Sequence, residues 1–375
     1  MLPSPGLYVH LPWCVKKCPY CDFNSHAVRG KPPFEDYTDA VCADLEHQAG
    51  VYEPEPFGSV FFGGGTPSLF EPEHIERILN TAQKRVGIAD SAEITLEANP
   101  GAIEHGSFKG YRSAGVNRIS LGVQSFSTDQ LRVLGRVHSA DDAHKAAEAI
   151  HQADIPELNI DLMYGLPNQT QAMALADVDV ALSLLPTHLS HYQLTIEPNT
   201  LFAVKAPELP DNETCFAMQE ACQSKLDKAG FRQYEVSAYA REGFSGKHNV
   251  NYWTYGDYLG VGAGAHGKIT TGTRVERTLK PKHPNQYLQD PLLVKTNSSS
   301  PEECLFEYML NRLRLNAPIA PNDQIGSHWL KSADGAAKLD QAKALGLMEI
   351  NTDGSWSKTA LGSQFLNDLQ EIFLP

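Results

Sequence analysis

The sequence predicts an α/β fold: an open, partial parallel barrel of six βα units, followed by a small, mainly helical unit of winged-helix-like order. Three observations carry this. Short apolar segments recur over the first half of the chain, with amphipathic stretches of helical period between them. Six such units are fewer than the eight of a closed barrel, so ligands are expected at the carboxyl ends of an open set of strands. From Pro301 the order becomes helix, helix, hairpin, helix.

In chain order, strands are read at Leu7 to Leu11, Ser59 to Phe62, Glu93 to Glu97, Arg118 to Val123, Leu158 to Met163 and Ser190 to Ile196. Helices such as Phe34 to His47 and Pro72 to Val86 connect them. Tyr234 to Tyr239 reads as a further strand, and Gly260 to Gly267 is glycine-rich. The stretch "KPKHPNQYLQDPLLVKTNSSS", polar and proline-bearing, is expected to be a linker over 281–300, between a domain of residues 1–280 and one of residues 301–375. There "EECLFEYMLNRLRL" opens a helix, another lies near Ala336 to Leu345, "NTDG" turns a hairpin, and a last helix covers Ala360 to Phe373.

Composition narrows the function. A chain of 375 residues with 42% hydrophobic and 20% charged residues is globular in character, and no apolar run reaches the roughly 18 residues of a spanning helix. No secretory pattern opens it, so a cytoplasmic location is expected. Net charge of −14 disfavours a phosphate-tracking surface, and no nucleic-acid partner is expected. Homodimerisation is left open. Seven cysteines is an odd number in an unsignalled chain, which argues for metal or catalytic duty for any that cluster, not for disulfides.

Three do cluster. Cys14, Cys18 and Cys21 follow the first strand with C-x₃-C-x₂-C spacing, so a loop leaving that strand can bring three thiolates to one metal centre. Soft thiolates select an iron–sulfur cluster, zinc or Cu(I), and a zinc site would want a fourth ligand, for which His10 and His26 are candidates. Three cysteines alone would leave one iron of a [4Fe-4S] cluster open to an outside ligand. Cys42, Cys215, Cys222 and Cys304 lie in helical patterns and read as core residues.

This motif resembles that of the radical S-adenosylmethionine (SAM) superfamily, in which the methionyl amino and carboxylate groups chelate the open iron. Further segments extend the resemblance: "FFGGGTP" after the second strand, "EITLEANP", "RISLGVQSF" and "NIDLMYGLP" at the next three strand ends. Together, from about Leu7 to His266, they look like the branch of oxygen-independent coproporphyrinogen dehydrogenases. The resemblance implies that Tyr8, Gly64 and Glu97 hold the cluster-bound SAM, and that Gly65, Thr66, Gln124, Arg136 and Asp161 fall where the dehydrogenase binds a second SAM. Read as residues alone, the glycines also suit a plain strand-end turn, and Arg136 and Asp161 also suit structural ion pairs. His266 in "GAGAHG" is expected to edge the SAM site or simply to turn the loop.

Two features depart from the dehydrogenase. Phe23 stands where its motif carries a further cysteine, and "KHNVNYW" contains His248, Asn249, Tyr252 and Trp253 in the H-N-x-x-Y-W pattern of the branch's haem-chaperone subfamily. That likeness implies a protein that binds haem and passes it to haem-requiring acceptors, including membrane respiratory enzymes, with His248 as the iron ligand. A histidine beside aromatics is otherwise an ordinary buried residue. The implied cofactors are a [4Fe-4S] cluster, SAM and haem; no catalytic residue is assigned. The alternative is a coproporphyrinogen III dehydrogenase-type radical enzyme.

Overall fold

A computed structural model describes residues 4–102 and 107–375. Twelve strands form one sheet. In chain order they are β1 (Gly6–Leu11), β2 (Phe57–Gly64), β3 (Ile88–Ala98), β4 (Arg118–Gln124), β5 (Glu157–Tyr164), β6 (His188–Gln193), β7 (Arg232–Glu235), β8 (Ala238–Ala240), β9 (Tyr258–Val261), β10 (His266–Thr271), β11 (Arg274–Leu279) and β12 (Lys295–Ser298). Their spatial order is β12-β11-β10-β9-β1-β2-β3-β4-β5-β6-β8-β7.

The six expected strands are all present and pair in parallel from β1 to β6. Period-2 alternation decides which side chains serve the core. In β1, Leu7, Val9 and Leu11 are fully buried in the main hydrophobic cluster with Val60, Phe62, Leu96 and Leu121, while Tyr8 and His10 project to the other face. Helices follow the strands, among them Phe34–Tyr52, Pro72–Arg85, Ala140–Gln152, Gln171–Ser183 and Asn212–Lys228. Their starts are specified by side-chain caps: Ser139 with Asp142 forms a capping box, and Thr170 and Asp211 each accept a backbone N–H.

Several boundaries differ from expectation for physical reasons. A seventh parallel strand, β9, lies on the far side of β1 with Leu7 opposite Leu259, so β1 is interior to the sheet rather than at its edge. β6 stops at Gln193: Leu194 still donates to the Tyr164 carbonyl, but Thr195 then bonds Glu197 and the chain turns. The strand expected over Tyr234 to Tyr239 is two antiparallel strands, β7 and β8, folded at Val236–Ser237. The expected linker is woven into the barrel unit: helix Pro284–Gln289 buries Tyr287 against Asp44, and β12 pairs with β11. The final helix is two, Ala360–Gln364 and Leu366–Glu371, because Phe365 leaves helical geometry at φ −108°, ψ 49°.

A second hydrophobic cluster gathers Leu305, Tyr308, Met309, Trp329, Leu339 and Phe373 of the C-terminal unit around Tyr255 and Val275 from the preceding chain. Among the described residues, no helix is long and apolar enough to cross a membrane.

Candidate functional site

A cavity of about 580 Å³ opens at the carboxyl ends of the parallel strands. β1 feeds into a loop whose course is fixed by local bonds: Trp13–Cys14 pairs with His26–Ala27, the Cys21 N–H bonds the Cys18 carbonyl, and Lys17 Nζ donates to the Phe23 carbonyl at 3.0 Å. The Asn24 amide ties this loop to the carbonyls of Ala263 and Lys282 at 2.9 Å each. Cys14, Cys18 and Cys21, all half-buried, line the cavity. Cys18 Sγ receives Arg136 Nη1 at 3.6 Å, and Cys21 Sγ lies 3.6 Å from Ser25 Oγ. Burial pushes the Cys14 thiol pKa up against the opposing pull of the Thr66 hydroxyl.

Among the described residues, no three His, Cys, Asp or Glu side chains converge on a single-ion position. Three cysteines lining one cavity are the donor set of a [4Fe-4S] cluster held at three irons, whereas a tetrahedral zinc would want a fourth ligand. The histidines considered as fourth zinc ligands are engaged elsewhere. His10 Nε2 donates to the Asn24 carbonyl at 2.9 Å, which leaves Nδ1 to accept the Tyr8 hydroxyl at 2.9 Å. Burial lowers the His10 pKa to about 4, so it is neutral. His26 bonds Asn24 and rests against His283.

The glycine run is dictated by crowding. A side chain on Gly64, whose φ is +115°, would meet the His10 ring at 2.5 Å, and one on Gly65 would meet the Trp13 carbonyl at 2.5 Å. Gly64 N–H donates to Glu97 Oε2 at 3.2 Å. Thr66, Gln124, Arg136 and Asp161 line the same cavity with Gly64, Gly65 and Glu97. Burial, with the nearby Asp161 charge, raises the Glu97 pKa to about 8. Burial also raises Asp161, opposed by hydrogen bonds from Asn159 at 2.7 Å and Ser120 at 3.1 Å. Gln124, at φ +71°, accepts the Tyr192 hydroxyl at 2.6 Å.

Sequence reasoning took only the last polar residue of several strands. The inward alternation runs deeper: Ser120 and Gly122 precede Gln124, Asn159 precedes Asp161, and Ser190 and Tyr192 alternate on β6, all lining the cavity. The period-2 pattern could have found them. Glu235, Ser237 and Arg314 line it too, and no local signal marks these as neighbours.

Tyr8, His248 and His266 do not line the cavity. Tyr8 stacks on Phe61 at 6.3 Å beneath it. His266 starts β10 and is exposed. His248 lies on helix Lys247–Trp253, whose first N–H groups are capped from β3: Lys247 N donates to Glu93 Oε2 at 2.8 Å and His248 N to Oε1 at 3.2 Å. Its ring stacks on Phe61 at 4.9 Å, packs against Tyr252 and shares a 3.2 Å bond between Nδ1 and Ser59 Oγ. Burial lowers its pKa to about 4. Ser59 sits opposite Gly6, so this histidine closes the amino end of the barrel and not its ligand-facing mouth.

The comparisons with known proteins agree with this architecture. Residues 8–181 match the Radical SAM superfamily. The chain is 44% identical to a haem chaperone HemW of Haemophilus influenzae, covering 100% of this chain and 98% of the relative. It is 43% identical to that of Escherichia coli, covering 100% and 99%. In fold it resembles the E. coli coproporphyrinogen III oxidase HemN, a radical SAM enzyme, with a TM-score of 0.82 at 22% identity over 99% of this chain and 90% of that one. With the thiol loop at the mouth of β1 and likeness that runs end to end, the chain belongs to the radical SAM superfamily and, within it, to the HemW family.

Proposed function

We propose that this chain is a cytoplasmic haem chaperone, which binds haem and delivers it to haem-requiring proteins such as membrane respiratory enzymes, on a scaffold that carries a [4Fe-4S] cluster and SAM. One observation carries the reading: relatives named as haem chaperones align over the whole length, so the likeness includes the "KHNVNYW" helix and the C-terminal unit as well as the barrel. Cys14, Cys18 and Cys21 would hold the cluster. When bound, the cluster would supply an iron open to the amino and carboxylate groups of SAM, and an electron. This chain's own part is positioning. Gly64 and Gly65 let backbone approach the ligand, Glu97 and Asp161 offer acceptors for amino or hydroxyl groups, and Arg136 offers a fork for a carboxylate.

The second reading, a coproporphyrinogen III dehydrogenase-type enzyme, is favoured by the retention of Glu97, Gln124, Arg136 and Asp161 around one cavity. Against it stands Phe23, exposed at the rim where that motif carries a cysteine. Anaerobically reconstituted protein is expected to carry about one cluster, lost in Cys14→Ala, Cys18→Ala and Cys21→Ala, and to transfer haem to an apo-acceptor. Production of protoporphyrinogen IX from coproporphyrinogen III by the same preparation would defeat the chaperone reading.

A further inference from the structure

The cavity is also lined from outside the six parallel strands, by Ser237 of the β7–β8 hairpin, Asn249 and Trp253 of helix Lys247–Trp253, and Arg314 just past helix Pro301–Arg312. Among the described residues, Nε of Arg118, Arg136 and Arg314 and Nε1 of Trp253, all lining the cavity, are buried without a hydrogen-bond acceptor. Arg136 belongs to the cysteine side through Cys18. Arg118 is neutralised by Glu157 at 3.7 Å and Glu93 at 3.9 Å.

Arg314 is likewise ion-paired, with Glu235 at 3.5 Å, but it stands on Trp253, and its Nε and the Trp253 Nε1 find no partner among the described residues. The guanidinium lies 4.3 Å over the Trp253 indole, and its single side-chain hydrogen bond among the described residues is a long one, 3.5 Å to Glu235 Oε2. The other donors of its fork have no protein acceptor among the described residues. Its backbone is fixed, with the Val236 N–H on the Arg314 carbonyl at 3.1 Å and the Asn316 N–H on that of Tyr234 at 2.9 Å. The Ser237 hydroxyl and Asn249 amide take part in no side-chain hydrogen bond among the described residues. Phe61, Met163 and Leu194 add apolar surface to the cavity lining.

We propose that Arg314, Trp253, Ser237 and Asn249 form a subsite for a carboxylate of the bound ligand, a propionate of haem, with the macrocycle against that apolar surface; this rests on the haem-chaperone reading above. A buried donor without an acceptor is costly, and a carboxylate satisfies several at once. Glu235, buried and ion-paired with Arg314, opposes an incoming anion, so the carboxylate is placed at the donors that this pair leaves free, Arg314 Nε and Trp253 Nε1.

The test titrates haem and haem dimethyl ester, whose propionates are blocked, into the full chain and follows the Soret band. Wild type is expected to bind the ester about tenfold more weakly than haem, the size of a lost charged hydrogen bond. In Arg314→Leu that preference collapses, in Trp253→Phe it shrinks, and Arg314→Lys restores part of it, with iron and sulfide content unchanged. Equal binding of haem and ester by wild type, or a preference untouched in both Arg314→Leu and Trp253→Phe, overturns the subsite and leaves the chaperone reading standing. Absence of haem binding by wild type overturns both.

Discussion

Glu97 is the residue whose chemistry the fold alters most legibly. An isolated glutamate titrates near 4.5, whereas here burial and Asp161 hold it near 8. The folded state therefore keeps a proton that the unfolded chain gives up between those values, and stability falls as pH rises from about 4.5 to 8 and is level in this respect above. In cofactor-free protein, Glu97→Gln is expected to flatten that slope and to gain on the order of a few kcal/mol at pH 9. Urea midpoints at pH 5, 7 and 9 check it, and identical pH slopes in both proteins would refute it. The resemblance singled out Glu97, Gly64 and Thr66, and all three line the cavity. That Gly64 must be glycine because His10 packs beneath it was not legible in the sequence, since the two lie on different strands in register only after pairing.

At the scale of the element, helix Lys247–Trp253 owes its stability to contacts outside itself. Seven residues form no stable helix alone; this one persists because Glu93 caps it from β3 and the Asn251 side chain bonds the Asp257 carbonyl at 2.9 Å. His248 is packed as a floor residue between Phe61 and Tyr252. As packed, its ring does not open onto the cavity that Asn249 and Trp253 of the same helix line. His248→Ala is expected to cost about 2–4 kcal/mol, through the void and the stranded Ser59 hydroxyl. Chemical denaturation measures that loss. Haem titration of the same variant is the separate test of ligation, and an unaltered Soret position and affinity would remove His248 from the iron.

At the scale of the whole molecule, the C-terminal unit is docked rather than tethered. Glu307 accepts from the Tyr255 hydroxyl and from Arg277, with Arg277 Nε at 3.2 Å, while Tyr255 is buried in the unit's own core. Lys268 Nζ sits 4.2 Å over the same Tyr255 ring. Removing the carboxylate leaves a buried phenol and a guanidinium unmatched, so Glu307→Ala is expected to lose about 1–3 kcal/mol of docking. Hydrogen exchange over residues 301–312 should quicken in that variant while β1 to β6 stay protected; unchanged exchange would show that apolar contact alone secures the unit.

The sequence by itself determined the α/β class, the six parallel strands and the thiol loop after the first of them. Each of these follows from periodicity or from spacing within one segment, which local chemistry encodes. Only the tertiary structure decided that β9 joins the far side of β1, that His248 closes the amino end, and that Arg314 stands on Trp253 in the cavity wall. Those facts pair residues as much as 250 positions apart, as with Leu7 and Leu259, and such pairings are set by which buried surfaces and backbone edges fit, not by any neighbouring residue.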